Sequence, residues 1–82
     1  EPAAGLGPNE RARLAEEIRN IATTSAVVVV EHNVPFVASV ANRLVCLAEG
    51  RVIADGEPKE IVRDPAVVAA YLGVAIDLGA DR

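Results

Sequence analysis

Ala26-Val27-Val28-Val29-Val30-Glu31-His32 is the stretch on which the reading of this chain turns. Its four successive β-branched valines do not alternate with polar residues, so the run is expected to be a strand buried on both faces, as in a parallel sheet covered by helices. Open α/β sheets place ligands at the carboxyl ends of such strands. His32, the only histidine of the chain, stands at that end, where a strand would give way to a helix. A lone histidine at a strand end is more often structural than chemical, so its neighbours have to decide.

On the amino-terminal side, Glu-Pro-Ala-Ala-Gly-Leu-Gly (1–7) is small and punctuated, a loop. Gly7 is placed to cap a helix and Pro8 to open it. Leu14, Ile18 and Ile21 recur at i, i+4 and i+7, which predicts a helix over 9–22 with its charges mostly on a solvated face. On the carboxyl-terminal side, Asn33 is a good N-cap and Pro35 suits a first turn, so a second, nearly all-apolar and therefore enclosed helix is expected over 34–42. Leu44 to Leu47 and Arg51 to Asp55 flank Glu49-Gly50 and read as a hairpin. Pro58 starts a short helix to about Arg63. Asp64-Pro65 caps a last one to Leu72, with Val67, Val68 and Tyr71 inward and Gly73 as its stop. Residues 74–82 lack caps and periodicity and are expected to be a frayed tail. The sum is α/β, but the edge of a domain more than a whole one, and a chain that opens on Glu1 without methionine fits the end of something longer.

The 82 residues allow one small core, and with 51% hydrophobic residues but only Phe36 and Tyr71 aromatic, that core is built from small aliphatics. Such a composition suggests a surface meant to pack against something else. A net charge of −4 with no basic run argues against nucleic acid as the main partner. No apolar run approaches the roughly 20 residues of a spanning helix. Cys46 lies in an apolar stretch and is expected as a buried thiol, not a nucleophile or metal ligand.

Three motifs, in this order, resemble one family, the ATP-binding subunits of ABC transporters. Glu1-Pro2-Ala3-Ala4-Gly5-Leu6 looks like the end of the Walker B strand running into the D-loop. Val27-Val28-Val29-Val30-Glu31-His32 looks like the following strand with its switch histidine, and Glu49 to Gly56 like the hairpin that comes next. Asp64-Pro65-Ala66-Val67-Val68-Ala69-Ala70-Tyr71-Leu72-Gly73, with Pro2 to Leu6, is similar to the branched-chain amino acid importers within that family. The likeness covers about residues 1–73 and implies the carboxyl-terminal part of a P-loop NTPase (ABC ATPase) domain.

What the resemblance implies for function is ATP hydrolysis coupled to transport. Glu1 would orient and deprotonate the attacking water, and His32 would hydrogen-bond the γ-phosphate and sense its loss. Ala4, Gly5, Leu6 and Gly7 would form the D-loop, whose backbone approaches the nucleotide of a second subunit. Gly7 stands where the family most often has aspartate, which removes a side-chain contact there. The cofactors implied are ATP and Mg²⁺. The implied partners are a second ATP-binding subunit and transmembrane permease subunits, with the protein peripheral on the cytoplasmic face of the membrane. No G-x-x-x-x-G-K-[ST] cradle, signature motif or magnesium-holding aspartate is present in these residues, so the chain alone is expected to be inactive. Two other readings stay open: a small α/β interaction module that associates through its valine strand, and a non-transport ABC ATPase.

Overall fold

The computed structural model describes residues 1–73; the expected tail over 74–82 lies outside the described residues. Helix α1 (Pro8–Ala22) is followed by an irregular stretch containing the valine run, then helix α2 (Val34–Val40). Strands β1 (Leu44–Ala48) and β2 (Arg51–Gly56) form an antiparallel hairpin. Short helices α3 (Pro58–Ile61) and α4 (Pro65–Val67) follow, α4 running on into a π-helical turn over Val68–Leu72. None of the described helices is long and apolar enough to cross a membrane.

The helix starts follow the local chemistry anticipated from sequence. The Gly7 N–H donates to Glu10 Oε1 at 2.9 Å with Pro8 at the first helical position of α1. Asn33 Oδ1 accepts the Phe36 N–H at 3.1 Å and caps α2. Asp64 Oδ1 accepts the Ala66 and Val67 N–H groups at 2.8 and 3.4 Å and caps α4. At the other end, Gly73, with φ of 75°, donates its N–H to Val68 O and stops the π turn.

The hairpin pairs Leu44 with Gly56, Val45 with Asp55 and Cys46 with Ala54. The register then shifts, so that Leu47 faces Val52 and Ala48 faces Arg51, leaving Ile53 as the extra residue of a bulge. Alternation along β1 sends Leu44 and Cys46 inward and Val45 and Leu47 outward. Beneath the inward face lies a core of Ala15, Val34, Phe36, Val37, Ala38, Ile61, Val62 and Val67, the last two fully buried. Cys46 is part of it, and burial pushes its thiol up from the ordinary value, as expected of an inert thiol. Arg43 holds Asp55 across the hairpin with a two-pronged contact at 2.9 and 2.7 Å, which lowers the Asp55 carboxyl and raises the guanidinium.

The expected buried parallel strand is not formed. Residues 26–31 carry no ladder, and Val28 and Val30 are 90% and 76% exposed. A parallel strand exists only through its neighbours, and the two-stranded hairpin, the only sheet among the described residues, does not flank this run. Three smaller corrections accompany it. Ile21 is exposed, so only Leu14, Ala15 and Ile18 of the α1 stripe pack inward. Helix α2 ends at Val40 instead of Asn42 and leaves Pro35 and Ser39 exposed, so it is enclosed on one side and not all round. Tyr71 is not inward: it is partly exposed, and its hydroxyl donates to Leu47 O on the hairpin.

The hairpin turn places both central residues at positive φ, Glu49 at 52° and Gly50 at 76°, the requirement of a type I′ connection. Glycine adopts this conformation without strain and alanine does not. Gly50→Ala is therefore expected to destabilise the chain by about 1 kcal/mol, and Glu49→Asn to stabilise it by a few tenths of that, both read from thermal melts against the unsubstituted chain.

Candidate functional site

The turn at residues 2–5 and the segment ending the valine run meet at one edge of the molecule. The Ala4 N–H donates to Glu1 O and the Leu6 N–H to Ala3 O, both at 3.2 Å, which curls the amino-terminal segment. Gly5 sits at φ of 77° within that curl. Arg11, one turn into α1, donates from Nη1 to Leu6 O at 2.6 Å and holds the segment onto the helix. Ala3 is buried; Ala4 and Gly5 are exposed, and Leu6 and Gly7 are partly covered. Of the four expected D-loop residues, Ala4 and Gly5 thus present backbone to solvent, while Leu6 and Gly7 are committed to the start of α1.

Glu1 and His32, 31 positions apart in sequence, are brought together. His32 Nδ1 lies 2.5 Å from Glu1 Oε1, and both side chains remain open to solvent, at 71% and 48%. Between them stands Glu31, which the sequence reading quoted only as part of the strand motif. Its Oε2 accepts the Ala3 N–H at 2.7 Å and its Oε1 accepts the Asn33 N–H at 3.4 Å. The Ala3 hydrogen bond holds the Glu31 carboxyl below its ordinary value, with smaller help from the Asn33 N–H and from His32. The signal that could have found it is the charge itself: a carboxylate ending a run of valines must be paired.

Glu1, Glu31 and His32 bring one donor atom each within 4.8 Å of one another. The contacts just described link the three into one polar network, with the second Glu1 oxygen and His32 Nε2 left open. Nor do these residues make a nucleotide pocket. One open groove lies between α1 and α2, lined by Arg11, Arg19 and Phe36 among others; a second runs from α2 to α3 past Asn42 and Lys59. Neither is lined by Glu1 or His32. What the site can do is present a carboxylate and an imidazole, side by side, to a group held by other residues.

Residues 51–77 match the family model described as "Branched-chain amino acid ATP-binding cassette transporter". The chain is 40% identical over 78 residues to the high-affinity branched-chain amino acid transport ATP-binding protein LivG of Salmonella typhimurium, covering 92% of this chain and 30% of that protein. Over most of its length the chain is similar to the ATP-binding subunits of branched-chain amino acid ABC transporters. It corresponds to the carboxyl-terminal part of such a subunit. It is also 39% identical over 77 residues to BraF of Pseudomonas aeruginosa, named for the same transport, with the same shares of the two chains. The lipopolysaccharide export ATP-binding protein LptB of Acidithiobacillus ferridurans is 36% identical over 74 residues, 89% of this chain and 31% of that protein. The chain therefore spans about a third of the length of the curated relatives it matches. No solved structure matches it.

The cap that follows His32 fixes where its backbone leaves the valine run. Asn33→Ala is expected to cost about 1 kcal/mol of stability, read from the denaturant midpoint, whereas Asn33→Asp, which keeps the accepting oxygen, is expected to change it little.

Proposed function

We propose that these residues form part of an ATP-hydrolysing subunit that powers a branched-chain amino acid importer, with ATP as its substrate and Mg²⁺ as the accompanying ion. The observation that carries this reading is the contact between Glu1 and His32 at the meeting of the two segments that resemble the Walker B end and the switch-histidine strand. Relatives named for branched-chain amino acid transport support the cargo. The cradle for the phosphates and the residues that hold the metal would come from chain outside these residues, in keeping with the share of the relatives that is matched. The same share gives room for strands that would pair with the valine run and complete a P-loop NTPase sheet.

Within that subunit, the Glu1 carboxylate would orient the attacking water and take its proton, since one of its oxygens is free while the other faces His32. His32 has a matching constraint. With Nδ1–H committed to Glu1, Nε2 donates to a phosphate oxygen only when both ring nitrogens carry a proton. The backbone exposed at Ala4 and Gly5 would approach the nucleotide of a second ATP-binding subunit. Permease subunits would hold the assembly at the inner face of the membrane and select the solute. The match to LptB, named for lipopolysaccharide export, supports a segment that would serve ATP chemistry common to transporters with different cargo.

The test is His32→Ala in the complete subunit. Turnover is expected to fall by about 100-fold or more, while ATP affinity changes by less than about tenfold, because one hydrogen bond adds little to binding dominated by a phosphate cradle. A variant that hydrolyses ATP at the wild-type rate removes the role.

A further inference from the structure

We propose that Glu31 is a positioning residue that sets the Glu1–His32 pair in register, an inference that rests on the hydrolytic reading above. The pair is mostly exposed, so no packing fixes it. What joins the two backbones is the Glu31 carboxylate. Its Oε2 takes the Ala3 N–H at 2.7 Å, a length typical of a charge-assisted bond, two residues beyond Glu1. Its Oε1 takes the Asn33 N–H at 3.4 Å, on the far side of His32. One side chain thus spans the segment that carries the carboxylate and the segment that carries the imidazole.

The Ala3 amide has no substitute partner. Ala3 is 5% exposed, and the hydrogen bonds of the turn engage the N–H groups of Ala4 and Leu6 but not its own. Removing the carboxylate leaves a buried donor unmatched and the turn free to shift against His32. The group facing the Glu31 carboxyl is His32, which favours its ionised form, with the Glu1 carboxylate held on His32. Because the carboxyl is held below its ordinary value in the folded protein, the tether is present at neutral pH and is lost as pH falls through that depressed value.

The experiment compares wild type, Glu31→Ala and Glu31→Gln in the complete ATP-binding subunit carrying ¹⁵N-alanine. The Ala3 amide resonance of the wild type is expected to titrate with a midpoint below that of an ordinary glutamate, and this titration is expected to vanish in both variants. Glu31→Ala is expected to lower kcat by about tenfold or more with KM for ATP unchanged. Glu31→Gln, which keeps one acceptor oxygen for Ala3, is expected to recover most of that loss. An Ala3 amide that titrates alike in wild type and Glu31→Ala, or a Glu31→Ala subunit with wild-type kcat, overturns the proposal. A wild-type subunit that hydrolyses no ATP refutes the hydrolytic reading instead, and the amide titration alone then decides the tether.

Discussion

A strand is held by the backbone beside it, and the valine run of this chain has no such backbone among the described residues. Everything local is complete. The three side-chain and backbone caps, the type I′ turn and the bulged hairpin all form from residues close in sequence. Val27, Val28 and Val30 stay exposed, with no strand paired beside them among the described residues. Burial of one valine contributes about 1.5 kcal/mol or more, so the run forgoes a stabilisation that is sizeable beside the 5–15 kcal/mol or so that hold a typical domain.

The same division explains how much of the structure was legible in the sequence. Asn33, Asp64, Pro8 and Gly50 announce their roles because capping and turn chemistry are decided within a few residues. Cys46 follows from strand alternation. Val27 to Val30 announce a buried strand equally clearly, but whether that strand forms depends on residues far away. Ile21 and Tyr71 fail for a related reason, since periodicity says which face is apolar and not whether anything covers it. The outward Val45, Leu47 and Val52 of the hairpin form an apolar face that alternation predicts and that the described chain leaves uncovered.

The candidate site was legible in part. Glu1 and His32 were found through motif resemblance, and the structure brings them into contact. Glu31 was passed over because its role depends on a hydrogen bond spanning 28 positions, which no local pattern encodes. The arrangement has a physical economy. Arg11 fastens Leu6 to α1, Asn33 starts α2 immediately after His32, and Glu31 joins the two segments between these anchors. The Glu1 and His32 side chains are left exposed while the backbone behind them is tied at three points. Such an arrangement suits groups that act on a ligand held by other residues.

Residues 27–30 are unpaired among the described residues, and under the proposed function they would become a paired strand in the complete subunit. Amide hydrogen exchange at these residues, measured on the 82-residue chain and on the complete subunit under the same conditions, tests it most directly. Rapid exchange in the chain alone and strong protection in the subunit is the result predicted. Strong protection in a monomeric 82-residue chain, or rapid exchange in the folded subunit, would contradict it.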